Sequence, residues 1–225
     1  MRLENNLKGL CDQHGMDYHG FLKDLEVDDP SELTLYDIEA IAEEYGQDIE
    51  ALLFKPVYQP QIFKDKISKI KLLILDVDGV MTDGGMYVSE NGDEMKKFNT
   101  KDGMSILHLT KNNFQIAIIS SGFKKEAITK RAELLGIQFC HVVRRPKLEV
   151  LAEICEELKI ELKNVAIIGD DINDLPVILK VGFSACPADA VNVVKANVDV
   201  VLTKNGGQGC VRELIDNYIL SAPIE

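Results

Sequence analysis

The chain has 225 residues, 46% hydrophobic and 28% charged, with a formal net charge of −12, so it can hold one α/β core of ordinary domain size plus a small extra unit. That acidic balance argues against binding nucleic acid through phosphate contacts, and no apolar run reaches the roughly 18 residues that a membrane helix needs. The start Met1-Arg2-Leu3-Glu4-Asn5-Asn6 lacks a signal-peptide core, and five cysteines, odd in number and without a close pair, fit reduced thiols, so a cytoplasmic protein is expected.

The first 60 residues carry 14 Asp/Glu against 4 Lys/Arg, a balance of −10, whereas the rest carries 23 against 21. Helices are predicted over 3–11, 18–25, 35–45 and 49–54, with Ser31 and Thr34 as candidate caps ahead of Glu32 and Asp37. Ile38, Ile41 and Ala42 form a buried stripe. Asn6-Leu7-Lys8-Gly9-Leu10-Cys11 together with the run from Tyr36 to Leu53 resembles the helical domain of Cro-type helix-turn-helix regulators. The stretch Val27 to Leu33, where that family places its recognition helix, is short, acidic and broken by Pro30, so nucleic acid is not the expected partner. A copy adapted to protein contact and a solvated acidic appendage both stay open. Lys55-Pro56-Val57-Tyr58-Gln59-Pro60 reads as a stiff linker, dividing the chain into a small all-α domain, 1–58, and an α/β domain, 59–225.

Leu72-Leu73-Ile74-Leu75 is an unbroken apolar run, the pattern of a strand covered on both faces, and it ends in Asp76-Val77-Asp78-Gly79. Gly85 to Val88 and Glu94 to Phe98 flank Asn91-Gly92, which predicts a β-hairpin. Gln115 to Ile119 runs into Ser120-Ser121-Gly122, and Val165 to Ile168 runs into Gly169-Asp170-Asp171-Ile172-Asn173-Asp174. Between these tips, Arg144-Arg145-Pro146-Lys147 opens a helix with the apolar face Leu148, Leu151, Ile154 and Leu158. In a parallel sheet with right-handed crossovers, all C-terminal strand ends lie on one edge, so the three polar tips converge there. After Thr203 the chain ends in a Gly-rich loop and a short helix, 211–220.

Asp76, Asp78, Asp170 and Asp171 in one cleft would repel, since two charges about 4 Å apart cost on the order of 4 kcal/mol at an effective dielectric of about 20. An all-carboxylate set without His or Cys suits Mg²⁺ and argues against Zn²⁺. With the Ser121 hydroxyl, the Lys147 ammonium and the amides around Gly79 and Gly122, the cleft reads as a phosphate site.

Asp76-x-Asp78-Gly-Val-Met-Thr82-Asp83-Gly84, Ser121-Gly122, Lys147 and Gly169-Asp170-Asp171-x-x-Asp174, in that order, resemble the four motifs of the haloacid dehalogenase-like phosphatases. Further stretches, 82–87, 97–103, 131–136 and 206–213, resemble the capless subgroup acting on 3-deoxy-2-keto sugar acids, the octulosonate 8-phosphate and nonulosonate 9-phosphate phosphatases. The resemblance spans about residues 66–220. It implies a Rossmann-like parallel sheet with helices on both faces and a hairpin insert.

By the same resemblance, Asp76 is the nucleophile and Asp78 the general acid and base. Asp76, Asp78 (through its carbonyl), Asp170 and Asp171 (through a water) hold Mg²⁺. Ser121, Gly122 and Lys147 bind the phosphoryl oxygens, Asp174 orients Lys147, Gly79 and Thr82 support the site, and Lys101, Asp102 and Arg212 are possible substrate contacts. The family uses its hairpin at a tetramer interface, so a homotetramer is expected, and its Gly-rich tail reaches a neighbouring subunit's site. For this chain a plain loop and helix is equally open. Phe123 stands where the octulosonate enzymes carry Arg and the nine-carbon enzymes Glu, and Pro146 replaces the acid expected before Lys147. Other sugar phosphates therefore stay open as substrates, as does a regulator that senses a sugar phosphate.

Overall fold

The computed structural model describes residues 2–54, 61–122 and 124–220, and divides into two compact units, 1–65 and 66–225. The Lys55 to Pro60 linker expected from the two prolines lies outside the described residues, and the division falls after the 58/59 boundary that those prolines suggested.

The first unit is helical: α1 (Arg2–His14), α2 (Tyr18–Asp24), α3 (Leu35–Glu44) and α4 (Ile49–Phe54). Leu7, Leu10, Ile38, Ile41 and Leu52 form its core, so the amphipathic spacing places each helix's apolar stripe inward. Thr34 caps α3 in a reciprocal capping box with Asp37. Ser31 does not cap a helix; it lies in a 3₁₀ turn, Pro30–Glu32, whose cap is Asp29, because the proline starts that turn and Asp29 Oδ1 accepts the Ser31 amide.

After α5 (Gln61–Ile67) come β1 (Leu72–Leu75), β2 (Tyr87–Val88), β3 (Glu94–Met95), α6 (Thr100–Lys111), β4 (Gln115–Ser120), α7 (Glu126–Leu134), β5 (Phe139–Val142) and α8 (Lys147–Leu158). The chain continues through β6 (Val165–Ile168), α9 (Leu175–Ile178), β7 (Phe183–Cys186), α10 (Asn192–Lys195), β8 (Val200–Val201) and α11 (Cys210–Leu214). Six strands form one parallel sheet in the order β5-β4-β1-β6-β7-β8, and β2 pairs antiparallel with β3 as the expected hairpin. The order reverses at β1, with β4 on one side and β6 on the other, which places the β1 tip at a topological switch point where ligands bind open α/β sheets.

Both faces of the central strands are covered, as their continuous apolar runs require. Leu72, Ile74, Ala117, Ile119, Val165 and Ile167 pack with Val150, Leu151 and Ile154 of α8. The alternate residues Leu73, Leu75, Ile116, Ile118, Ala166 and Ile168 are equally buried on the other face, where α6 packs against β4 and α11 against α6. Among the described residues, no helix is long and apolar enough to cross a membrane, and all five cysteines are free thiols.

Candidate active site

The three polar tips meet at the C-terminal edge of the sheet. The Asp76 amide hydrogen-bonds the Ile168 carbonyl, which fixes the first carboxylate at the seam between β1 and β6. The chain then turns sharply through Val77–Met81, with Gly79 at φ +84°. A Cβ at Gly79 would stand 2.0 Å from Asp170 Oδ2, so glycine is needed here both for the left-handed backbone and for room beside the carboxylate. Gly79→Ala is expected to push Asp170 aside and lower turnover by about 100-fold, the scale of an ångström-level misplacement. Steady-state kinetics beside a thermal melt tests this, and an alanine variant of wild-type activity would refute it.

Asp174 sits under this edge, fully buried. Its Oδ2 accepts the amides of Asp170 (3.1 Å) and Asp171 (3.4 Å), and its Oδ1 accepts from Lys147 Nζ at 2.7 Å. Lys147 Nζ also lies 2.9 Å from Asp76 Oδ1, so one buried ammonium is shared by two buried carboxylates. Burial alone would lower the Lys147 pKa, but Asp76 and Asp174 outweigh it and hold the group above its ordinary value. Burial, with Asp174 adding to it against Lys147, pushes Asp76 up to about 6. Burial and the neighbouring Asp76, Asp174 and Asp171 push Asp170 up to about 7.

These values describe a cleft with more carboxylate than protein cation, and its donor set suits a hard divalent ion. Carboxylate oxygens of Asp76, Asp170 and Asp174 lie within 4.8 Å of one another, and Asp170 Oδ1 is buried without a hydrogen-bond partner. Asp170 thus offers an oxygen whose burial is uncompensated by protein groups, which fits a cation ligand. Asp171, expected to act on the metal through a water, is exposed, and its Oδ1 accepts the amide of Ile172, its own neighbour.

Thr82 Oγ1 donates to the Val77 carbonyl at 3.2 Å and stands 3.5 Å from Asp78 Oδ1. Ser120 Oγ accepts the Gly122 amide at 3.2 Å and shapes the second tip, leaving Ser121 to face the cleft, where Asn173 Nδ2 approaches its hydroxyl at 3.4 Å. Asp76, Asp78, Ser121, Gly122, Asp170 and Asp171 all line a cavity of about 290 Å³. Phe123 lies outside the described residues.

Two groups in the cleft were not read from the sequence. Lys96 Nζ lies 2.5 Å from Asp78 Oδ1, with its side chain 3% exposed. Only its alternation with Glu94 along the hairpin strand could have signalled that it faces inward. Asn173 had no signal beyond its place between two aspartates.

Three candidates lie elsewhere in this chain. Asp102, expected as a possible substrate contact, is buried instead, and its Oδ1 accepts the Arg212 amide of α11 at 2.7 Å. Arg212 Nε pairs with Asp216 at 2.5 Å on the outer side of α11, and Lys101 is exposed in the first turn of α6. The Gly-rich tail packs on its own chain: Gly207 N donates to the Val80 carbonyl, and a Cβ at Gly206 would meet the Gly79 carbonyl at 2.0 Å.

Comparison with known proteins agrees with this architecture. The haloacid dehalogenase-like hydrolase family matches residues 101–182. A 3-deoxy-D-manno-octulosonate 8-phosphate phosphatase of Salmonella typhi is 41% identical over 156 residues, 69% of this chain and 82% of that protein. The crystal structure of the corresponding phosphatase from Yersinia pestis superposes with a TM-score of 0.70 at 36% identity, covering 72% of this chain and 88% of that one. The Moraxella catarrhalis phosphatase, solved with magnesium, phosphate and KDO, gives a TM-score of 0.69 at 31% identity over 73% of this chain and 94% of that one.

Proposed function

Because the chain belongs to the haloacid dehalogenase-like hydrolases and is a phosphoric monoester hydrolase, we propose that it hydrolyses the phosphate ester of a 3-deoxy-2-keto sugar acid, octulosonate 8-phosphate foremost, with Asp76 as nucleophile. The observation that carries the reading is the Lys147 ammonium placed between Asp76 and Asp174 beside the uncompensated Asp170 oxygen. The Salmonella typhi relative, matched over 82% of its length, is a 3-deoxy-D-manno-octulosonate 8-phosphate phosphatase, and the Moraxella catarrhalis one was solved with magnesium and phosphate.

Asp76 attacks phosphorus, the bond to the substrate's oxygen breaks, and the leaving alkoxide takes a proton from Asp78. Asp78 then removes a proton from water, which attacks the aspartyl-phosphate and frees phosphate and Asp76. Lys147 and the Ser121-Gly122 loop hold the phosphoryl oxygens, and Asp174 keeps Lys147 oriented. Asp76, Asp170, the Asp78 carbonyl and a water on Asp171 would hold Mg²⁺, which supplies charge neutralisation at the phosphoryl group when bound. The exposed hairpin residues Met86, Tyr87, Val88 and Met95 support the homotetramer expected from the family.

A phosphate-release screen with Mg²⁺ tests the proposal over eight- and nine-carbon sugar-acid phosphates and ordinary hexose phosphates. Octulosonate 8-phosphate is expected to lead by at least about 10-fold in kcat/KM, and EDTA to abolish turnover. Equal, weak activity on all esters would reject the sugar-acid assignment. No turnover of any ester would favour a sugar-phosphate sensor.

A further inference from the structure

We propose that Lys96 is a positioning residue for Asp78: reaching in from the hairpin, it holds one carboxylate oxygen and aims the other at the substrate's leaving oxygen. This deepens the reading above and rests on Asp78 being the general acid.

The two oxygens of Asp78 face different surroundings. Oδ1 takes Lys96 Nζ at 2.5 Å, with Thr82 Oγ1 at 3.5 Å. Oδ2 faces the loop after β4, where a Cβ at Gly122 would stand 3.8 Å away. In the proposed mechanism that loop holds the phosphoryl oxygens, so the tethered oxygen lies toward the hairpin and the other toward the reacting centre. An ammonium has only protons to give. Its partner Oδ1 is therefore occupied by a donor, which leaves Oδ2 as the oxygen open to the leaving group. As the phosphorus bond to the leaving oxygen breaks and that to Asp76 forms, the proton passes from Oδ2 to the leaving alkoxide.

The burial of Lys96 separates it from an ordinary surface lysine. Its neighbour Lys97 pairs with Asp83 at 2.6 Å while 63% exposed, a pair of the kind worth little in water. The Lys96 side chain is 3% exposed, so its stem loses rotamer freedom and its ammonium loses water, costs that a specific partner must offset.

Lys96 also lies at a seam. The catalytic cavity and a second cavity of about 450 Å³ are both lined by Glu94 and Lys96, and the second is completed by Lys124, Lys125 and Glu126 at the start of α7. A leaving group departing past Lys96 has this larger space to enter. The β2–β3 pair spans two residues per strand and is too short to be stable alone. Its turn is tied back by Lys124 Nζ, which donates to the Gly92 carbonyl, and the Lys96–Asp78 pair ties its other end. The aim of the acid therefore depends on the hairpin being docked.

The test compares kcat/KM, which reports the steps through departure of the leaving group, for the best alkyl ester of the panel and for p-nitrophenyl phosphate, whose leaving group needs no proton. Lys96→Met is expected to cost about 100-fold on the alkyl ester and under about 5-fold on the aryl ester. Lys96→Arg should recover most of the loss, and Lys97→Met should change neither. In an Asp78→Asn background, Lys96→Met should cost less than about 3-fold, because the two act as one unit. Lys96→Gln, scored the same way beside thermal melts, replaces the Met variant if that one unfolds early. Equal losses on the two esters, a negligible loss on the alkyl ester, or an undiminished loss in the Asp78→Asn background would overturn the proposal. If Asp78→Asn itself treats both esters alike, the general-acid reading fails; if it discriminates and Lys96→Met does not, only the present proposal fails.

Discussion

Asp76→Asn is expected to lower phosphate release by a factor on the order of 10⁴ or more while leaving the fold in place, because the proposed reaction needs a carboxylate at this position to take up the phosphoryl group. Asp76 leaves the end of β1 with its amide held by Ile168, so its direction is set by the sheet. Asparagine keeps the shape of the side chain and the contact with Lys147, but its amide cannot form the acyl-phosphate. The substitution also removes one of the three crowded carboxylates, Asp76, Asp170 and Asp174. The metal-free variant should therefore melt no earlier than the wild type. Phosphate release, a thermal melt and mass spectrometry of acid-quenched enzyme together decide the matter. Wild-type enzyme should carry a phosphoryl group on the peptide containing residue 76, and the variant none. Residual turnover within about 10-fold of wild type would remove Asp76 from the nucleophile's role.

Lys147→Met should be the most damaging single change to stability in the catalytic unit. The ammonium is 2.9 Å from Asp76 and 2.7 Å from Asp174, and all three groups are buried. Methionine fills much the same space, so packing is largely kept and the loss is electrostatic. Breaking a buried pair by removing one partner typically costs about 3–5 kcal/mol, since the remaining charge is left without compensation. For a chain of this size that corresponds to a fall in Tm of roughly 10 °C. Asp174→Asn in the Lys147→Met background should recover part of the fall, because it removes one stranded charge, and the two changes should be far from additive. Activity should not return with the stability, because the proposed phosphoryl contact of Lys147 stays lost. A Met variant melting within about 2 °C of wild type would show that the cluster is not held as described.

The chain's own pattern reveals the framework of the site. Leu72 to Leu75, Gln115 to Ile119 and Val165 to Ile168 are apolar without interruption, which only a strand covered on both faces tolerates, and each ends in polar or acidic residues. Pro146 before Lys147 marks a helix start, and the structure places Lys147 as the first residue of α8. The hairpin was legible from Asn91-Gly92 for a local reason: the turn needs backbone angles that these residues adopt readily.

Other residues owe their places to contacts distant in sequence. Asp102 resembled a ligand-facing acid, yet it meets α11, which begins over a hundred residues later, and its carboxylate accepts the Arg212 amide there. Arg212, one residue beyond the same junction, turns to Asp216 instead of to the cleft. Asp171 and Asp174 stand three apart in one loop, yet the first is exposed beside the cavity and accepts its neighbour's amide while the second is buried under the sheet edge. Spacing alone does not separate them, because the choice depends on where Lys147 arrives. Lys96 sits 18 residues from Asp78 in an alternating stretch whose inner face is defined only once the hairpin docks.

The amino-acid sequence alone determined that this is an α/β protein with its chemistry at strand tips, because covered strands and tight turns are specified by nearest neighbours along the chain. Only the tertiary structure decided which carboxylates share a cation, which are spent on capping amides, and which lysine faces the acid at position 78. Those are choices among like charges a few ångströms apart, and they are settled by the balance of burial, hydrogen bonding and Coulomb energy where separate segments meet.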